Sequence, residues 1–216
     1  MISIIIIQAQ ENPERLWNNI LENKDKLQNA IGNKGRLLYL SKRRNYSEAD
    51  LSVHVAEPNI LGKFIAHELA KIEEVTSLWM VNMLQPDFFP LPKDTKKMKR
   101  YIITLKIFPN RLNEVYDKIS AQKYPGWIKL VYKAYTFHLL NDCLQFSVLS
   151  ENDDAELRKF VNEIIDKTPG VLKSTVFEIE KTHPFITYEE WQAYASQHTF
   201  SLDWDERNMI AHFHDS

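Results

Sequence analysis

The stretch TSLWMVNML (76–84) follows a helical ending, KIEEV (71–75), and reads as a strand with apolar side chains in both parities. Ser77, Trp79, Val81 and Met83 share one face, and Leu78, Met80, Asn82 and Leu84 share the other. A strand with helices on one side and water on the other alternates apolar with polar residues, so this one asks for cover on both faces.

A second copy of the same unit supplies that cover. FIAHELAKIEEV (64–75) aligns without a gap on FVNEIIDKTPGV (160–171), and the strands TSLWMVNML and LKSTVFEIE follow directly. Aromatic-proline segments, DFFP and HPF, come next. Upstream, ISIIIIQ is a β-branched strand, and PERLWNNILENKDKLQNAI spaces Leu16, Ile20, Leu27 and Ile31 as a helix, with Pro13 in its first turn and Gly32 past its end. GRLLYLSKRR and DLSVHVAE are predicted as a strand pair joined through NYSEA. The second copy runs RYIITLKIF, then NRLNEVYDKIS with Asn110 as the expected N-cap, WIKLVYKAYTFHLL, LQFSVL and the helix DDAELRKFVNEIIDKTPGV.

Each copy therefore reads β-α-β-β-α-β, the ferredoxin-like order, in which both helices cover one face of a four-stranded antiparallel sheet. The expected fold is α+β: two ferredoxin-like repeats packed sheet to sheet within one chain as a dimeric-α/β-barrel-like unit, plus a C-terminal helical extension. The first repeat occupies 1–90, a linker 91–99, the second repeat 100–182 and the extension 183–216.

Composition excludes several classes. The chain has 216 residues, 44% hydrophobic and 26% charged, with a formal net charge of −2. Its longest apolar run, Ile4 to Ile7, is too short to span a membrane. The single cysteine, Cys143, excludes an internal disulfide framework and suits a cytoplasmic location. The basic stretch KDTKKMKR (93–100) reads as a solvated linker, leaving no strongly basic arm for nucleic acid.

With the repeat laid out, each copy resembles the effector-binding domain of the Lrp/AsnC feast/famine regulators. The hallmark of that family is a Gly-x-x-Asp before an alternating strand; here Ser47, Glu48, Ala49 and Asp50 precede Leu51 and SVHV, with serine in place of glycine. In the second copy Leu140 and Cys143 stand in those two places. The family's Pro-Gly-Val helix ending is intact at Pro169, Gly170 and Val171 and becomes Glu73, Glu74 and Val75 in the first copy. The resemblance implies a non-enzymatic module, with no cofactor, that binds an amino-acid-like effector in transcription regulation; the family's helix-turn-helix has no counterpart ahead of the first strand here, so direct nucleic-acid contact is not expected, nor is membrane contact. It also implies a homo-oligomer or a regulator as partner. Ser47, Glu48 and Asp50 are its ligand-binding candidates.

His54 and His138 join them from the residues themselves. His54 shares the parity of Ser52 and so points between the sheets if Leu51, Val53 and Val55 face helices; His138 ends a strand bearing Tyr132 and Tyr135. Such groups need partners, and water or a tyrosine serves as well as a ligand. Trp79, Trp127 and Tyr135 are candidate pocket walls, or simply core. The second reading is an enzyme on the same barrel, a haem-dependent or cofactor-free monooxygenase using the cavity between the sheets, with His138 or His183 as the axial ligand a haem would require. No metal site is expected; the alternative set is His198, His212 and His214 of the tail. Thr187 and Glu190 form a capping box that opens a helix, and Trp191 suggests that this extension packs on the body.

Overall fold

The computed structural model describes residues 2–9, 11–92, 94, 95, 97–137 and 144–198. The first half contains β1 (Ile2–Ala9), α1 (Pro13–Glu22), α2 (Lys24–Ile31), β2 (Gly35–Arg43), β3 (Glu48–Val55), α3 (Pro58–His67) and β4 (Val75–Phe88). The second contains β5 (Lys99–Ile107), α4 (Leu112–Ala121), β6 (Ile128–Phe137), β7 (Leu144–Ser150), α5 (Asp154–Phe160) and β8 (Val171–Pro184), followed by α6 (Tyr188–His198). All pairings are antiparallel, and the strands close a barrel in the order β1-β3-β2-β8-β5-β7-β6-β4. The fold is thus α+β, built on one large antiparallel sheet that closes on itself.

Closure depends on β4 and β8, each 14 residues long. β4 pairs with β1 as far as Met83 and with β6 from Asn82 to Phe88; β8 pairs with β5 up to Ile179 and with β2 from Ile179 to Pro184. The aromatic-proline segments expected to follow these strands are partly strand themselves. Instead of stacking as two open sheets, the halves are sewn edge to edge, which leaves no free sheet edge.

Both seams carry charge on their outer side. At β2–β8, Lys181 and Lys42 both bond Glu14 of α1, and these bonds hold its carboxyl down to about 2. At β4–β6, Lys133 is buried in an ion pair with Asp87 at 2.9 Å, Tyr116 of α4 donates to the same carboxylate at 2.8 Å, and the ammonium sits 3.9 Å from the Tyr116 ring centroid. Buried charge is tolerated here because it is paired and hydrogen-bonded.

The alternation of each strand now has an address. Ile5 and Ile7 of β1 pack with Leu51, Val53 and Val55 of β3 beneath α1 to α3; Tyr101, Ile103 and Leu105 of β5 pack with Leu144, Phe146 and Val148 of β7 beneath α4 and α5. The other parity forms a third core inside the barrel from Ile2, Ile4, Val81, Met83, Tyr132 and Leu149. In 76–84, register places Ser77, Trp79, Val81 and Met83 opposite the inward Gln8, Ile6, Ile4 and Ile2. On the outer parity Leu78 packs under the helices, but Met80 and Leu84 are 40% and 42% exposed, so that face is only partly covered.

Some local expectations shift. The first long helix breaks at Asn23 into α1 and α2. Asn110 lies inside a short 3-10 turn, and Arg111 takes the N-cap position of α4. Gly170 adopts φ 104° just before β8, and a Cβ there would lie 2.8 Å from Cβ of Arg111. Glu74, at the same place before β4, holds φ 78° without being glycine.

Candidate functional site

One mouth of the barrel holds a cavity of about 550 Å³. Its inner wall comes from inward positions of five strands: Tyr39, Arg100, Val131, Leu149 and Ile179. Its outer cover is the chain after β4, including Leu91 and Met98, together with α6. The capping box starts that helix as expected: Glu190 N–H donates to Thr187 Oγ1 at 3.1 Å, and Thr187 N–H donates to Glu190 Oε2 at 2.6 Å. One turn on, Trp191 enters the barrel, 2% exposed, with edge contacts to Tyr39 (5.3 Å) and Phe88 (5.1 Å). Tyr188 Oη and Gln192 Nε2 both donate to the Leu91 carbonyl, at 3.0 and 3.1 Å, tying helix and linker into one cover.

Six charged residues border the cavity, and five of them are answered. Arg44 and Lys99 share Glu178 at 3.3 and 3.4 Å, Lys42 takes Glu180 at 3.3 Å, and Lys181 goes to Glu14. Arg100 is the sixth. Its Nε donates to Ser147 Oγ at 3.1 Å, which in turn donates to the Tyr101 carbonyl at 3.0 Å, and its guanidinium lies 5.3 Å from the Tyr39 ring centroid. Among the described residues no carboxylate lies within ion-pair reach of it. Burial pushes the Tyr39 phenol above its ordinary pKa, with Arg100 partly offsetting, so the phenol stays neutral at pH 7.

The expected ligand residues fall elsewhere. Ser47 is exposed in the turn before β3. Asp50 is buried on the inward face, 2.8 Å from Arg43 Nε, and Arg43 in turn lies 4.5 Å from the Phe177 ring centroid. Burial opposes the Arg43 charge, but Asp50 outweighs it and raises the pKa. Glu48 faces the same way, its carboxyl raised by burial with Arg43 offsetting. Asp50 Oδ1 and Glu48 Oε2 have no hydrogen-bond partner among the described residues. His54 has the inward parity but borders an outer recess with Arg36 and Phe185. His138 and Cys143 lie outside the described residues, as do His212 and His214, and the side chain of His198 is not described. Trp79 is inward, whereas Trp127 packs on Phe160 and Tyr135 stacks on Tyr116 on the helix side, so the three do not share a pocket.

The haem alternative can be tested on these residues. His183 lies opposite Leu40 on the outer parity and contacts the Phe185 ring, away from the cavity. Among the described residues the cavity lining contains no histidine or cysteine, so neither expected axial ligand is placed at it: His183 points away, and His138 lies outside the described residues. Nor do the described residues group three or more histidine, cysteine, aspartate or glutamate side chains around a metal position.

No family model and no curated protein matches this sequence. Solved structures do. A protein of Lactobacillus acidophilus NCFM named as a monooxygenase superposes with TM-score 0.52 at 11% identity, over 85% of this chain and 95% of its own. A Fusobacterium nucleatum protein named likewise gives 0.52 at 9%, over 85% and 94%. An arginine-to-alanine variant of the chlorite dismutase of Candidatus Nitrospira defluvii gives 0.51 at 10%, over 91% and 95%. This chain shares their barrel fold. The Lrp/AsnC resemblance is corrected by these neighbours, which are not feast/famine regulators, and with it go the non-enzymatic effector function and the link to transcription regulation. The physical reason lies at Asp50, which the resemblance nominated for a ligand and which the fold turns inward onto Arg43.

Arg100 was missed as a site residue because it both ends a solvated basic run and opens a strand, with nothing at the position itself to single it out. The available signal was its parity with Ile102 and Thr104, opposite to that of Tyr101, Ile103 and Leu105. No helix among the described residues is long and apolar enough to cross a membrane.

Proposed function

We propose that this chain is an enzyme of the monooxygenase kind, oxidising a small aromatic molecule within the barrel cavity without a haem. The observation that carries the reading is the cavity itself: about 550 Å³, walled largely by aliphatic and aromatic side chains and covered by α6. Sites of that size and character suit small organic substrates. The same barrel serves proteins named as monooxygenases, which raises this reading over a binding module by analogy of fold.

A balanced reaction without a bound cofactor takes all its electrons from the substrate. An activated CH2 and O2 give C=O and H2O, one oxygen atom staying on carbon and the other leaving as water after two C–H bonds break. The protein's part is to hold the ring system against Tyr39, Val131, Leu149 and Ile179 and to exclude bulk water with the Trp191 cover.

The recurrence of strand order also supports a duplication. The pairing step after Gln8 has its counterpart after Lys106, and the step after Leu37 has its counterpart after Leu130. We infer two ferredoxin-like repeats, with the units 1–90 and 100–182, of which the second contributes the cavity cation that meets no carboxylate among the described residues.

Oxygen uptake is the test. With bicyclic and tricyclic hydroxyaromatics bearing an activated methylene, the protein is expected to consume one O2 per ketone formed, faster than a heat-denatured control. Equal uptake with and without folded protein across the panel overturns the reading.

A further inference from the structure

We propose that the cavity takes an organic anion, an aryl carboxylate or phenolate, whose charged group docks on the Arg100 guanidinium while its ring lies against Tyr39 and Trp191. This deepens the functional reading above and rests on the same cavity.

Among the described residues, every cation at the mouth but one already faces a carboxylate. Arg44, Lys99 and Lys181 face carboxylates of the chain, so their charge is spent within the fold. Arg100 is half-buried on the inner wall with a neutral hydroxyl at Nε and an aromatic face beneath it. A guanidinium presents five donors in a rigid fork, and Ser147 uses one of them. The remaining donors match a carboxylate bidentately or a phenolate oxygen singly.

Nearby groups leave room for that match. β8 places Ile179 opposite Arg100; of the two acids that flank it, Glu178 is shared between Arg44 and Lys99, and Glu180 pairs with Lys42. Leu149 faces Arg100 from β7. The cation therefore stands beside Ile179 and Leu149 with no carboxylate in ion-pair reach among the described residues, so an incoming anion gains a charge-assisted hydrogen bond there. Neutral ligands of the same shape gain the apolar contacts but leave the charge as it was.

The second half explains why this position is a site and the corresponding one is not. By register Arg100 corresponds to Ile2, since Ile102 pairs with Ser147 as Ile4 pairs with Ser52. Ile2 is packed into the interior core, 4% exposed. Of the inward cations, Arg43 is met by Asp50, whereas Arg100 borders the cavity with no carboxylate in ion-pair reach among the described residues.

The experiment uses the full chain and two inert probes of matched shape, 2-naphthoate and 2-naphthamide, titrated by quenching of tryptophan fluorescence. The carboxylate is expected to bind at least tenfold more tightly, and the preference to shrink in high salt. Arg100→Gln is expected to abolish the preference without weakening the amide, while Lys99→Gln leaves it intact. Equal affinities in the parent protein, binding of neither probe at millimolar concentration, or a preference that survives in a folded Arg100→Gln protein would each overturn the proposal. The comparison within the parent protein stands even if the variant does not fold. Oxygen uptake with no anion preference removes this inference alone; anion preference with no uptake removes the enzymatic reading alone.

Discussion

The two halves of the barrel place polar residues at the same register and use them in opposite ways. Asp50 of β3 lies opposite Ser41 and Ile6; Gln145 of β7 lies opposite Ala134 and Thr104. In the first half the carboxylate is met by Arg43 from the neighbouring strand. In the second half Gln145 donates to Tyr132, and the inward cation, Arg100, meets no carboxylate among the described residues. A charge neutralised inside the chain supports the fold; a charge left facing a cavity is available to something else.

The largest test of that contrast is stability. Asp50→Leu strands the Arg43 charge and is expected to cost about 3–5 kcal/mol in urea unfolding. Arg100→Leu removes a cation with no ionic partner and should stay within about 1 kcal/mol of the parent. Similar losses for the two would break the comparison.

Trp191→Ala tests the cover over the open half. Deleting a fully buried indole costs about 3 kcal/mol or more, and here the loss should fall mainly on α6. Hydrogen exchange is expected to accelerate across 188–198 while β1 and β3 stay protected. Uniform acceleration would mean that α6 is integral to the whole barrel.

The turns before β4 and β8 sharpen the comparison further. Gly170→Ala forces a Cβ against Arg111 and Val115 at φ 104° and should destabilise by about 2 kcal/mol. Glu74→Gly relieves a left-handed non-glycine residue but gives up the 3.1 Å ion pair with Arg15, for a net gain of about 0.5 kcal/mol by thermal unfolding.

The smallest effect is a pH dependence. Burial raises the Glu48 carboxyl above its ordinary value, so the folded chain binds that proton more tightly than the unfolded chain does. The resulting cost is absent below the unfolded-state pKa of about 4.3 and complete once pH exceeds the raised value. Glu48→Gln should therefore be slightly more stable than the parent at pH 7 and indistinguishable from it near pH 4, measured by thermal unfolding at both values.

Much of this architecture was readable from local pattern. The run Ile4–Ile7 reads as a β-branched strand, and Ile4, Ile5 and Ile7 are buried; the double parity of 76–84 asks for cover on both faces, and the outer one, with Met80 and Leu84 exposed, receives only part of it. Edge-to-edge closure was not readable, because Pro86 and Pro184 punctuate segments that periodicity ends early, and only the long-range partners β6 and β2 make strand of them. Asp50 looked like a ligand residue because a turn motif carries no information about Arg43 across the sheet. Arg100 looked like no more than the first residue of a strand after a basic run, because its value depends on a cavity assembled from five strands and a helix far apart in sequence.

A crystal structure of the chain grown with 2-naphthoate tests the central claim most directly. The account predicts the naphthyl ring in the cavity between Tyr39 and Trp191, with the carboxylate within hydrogen-bond distance of Arg100. Naphthoate bound elsewhere, or a cavity filled by protein side chains with Arg100 paired to a carboxylate of its own chain, would contradict it.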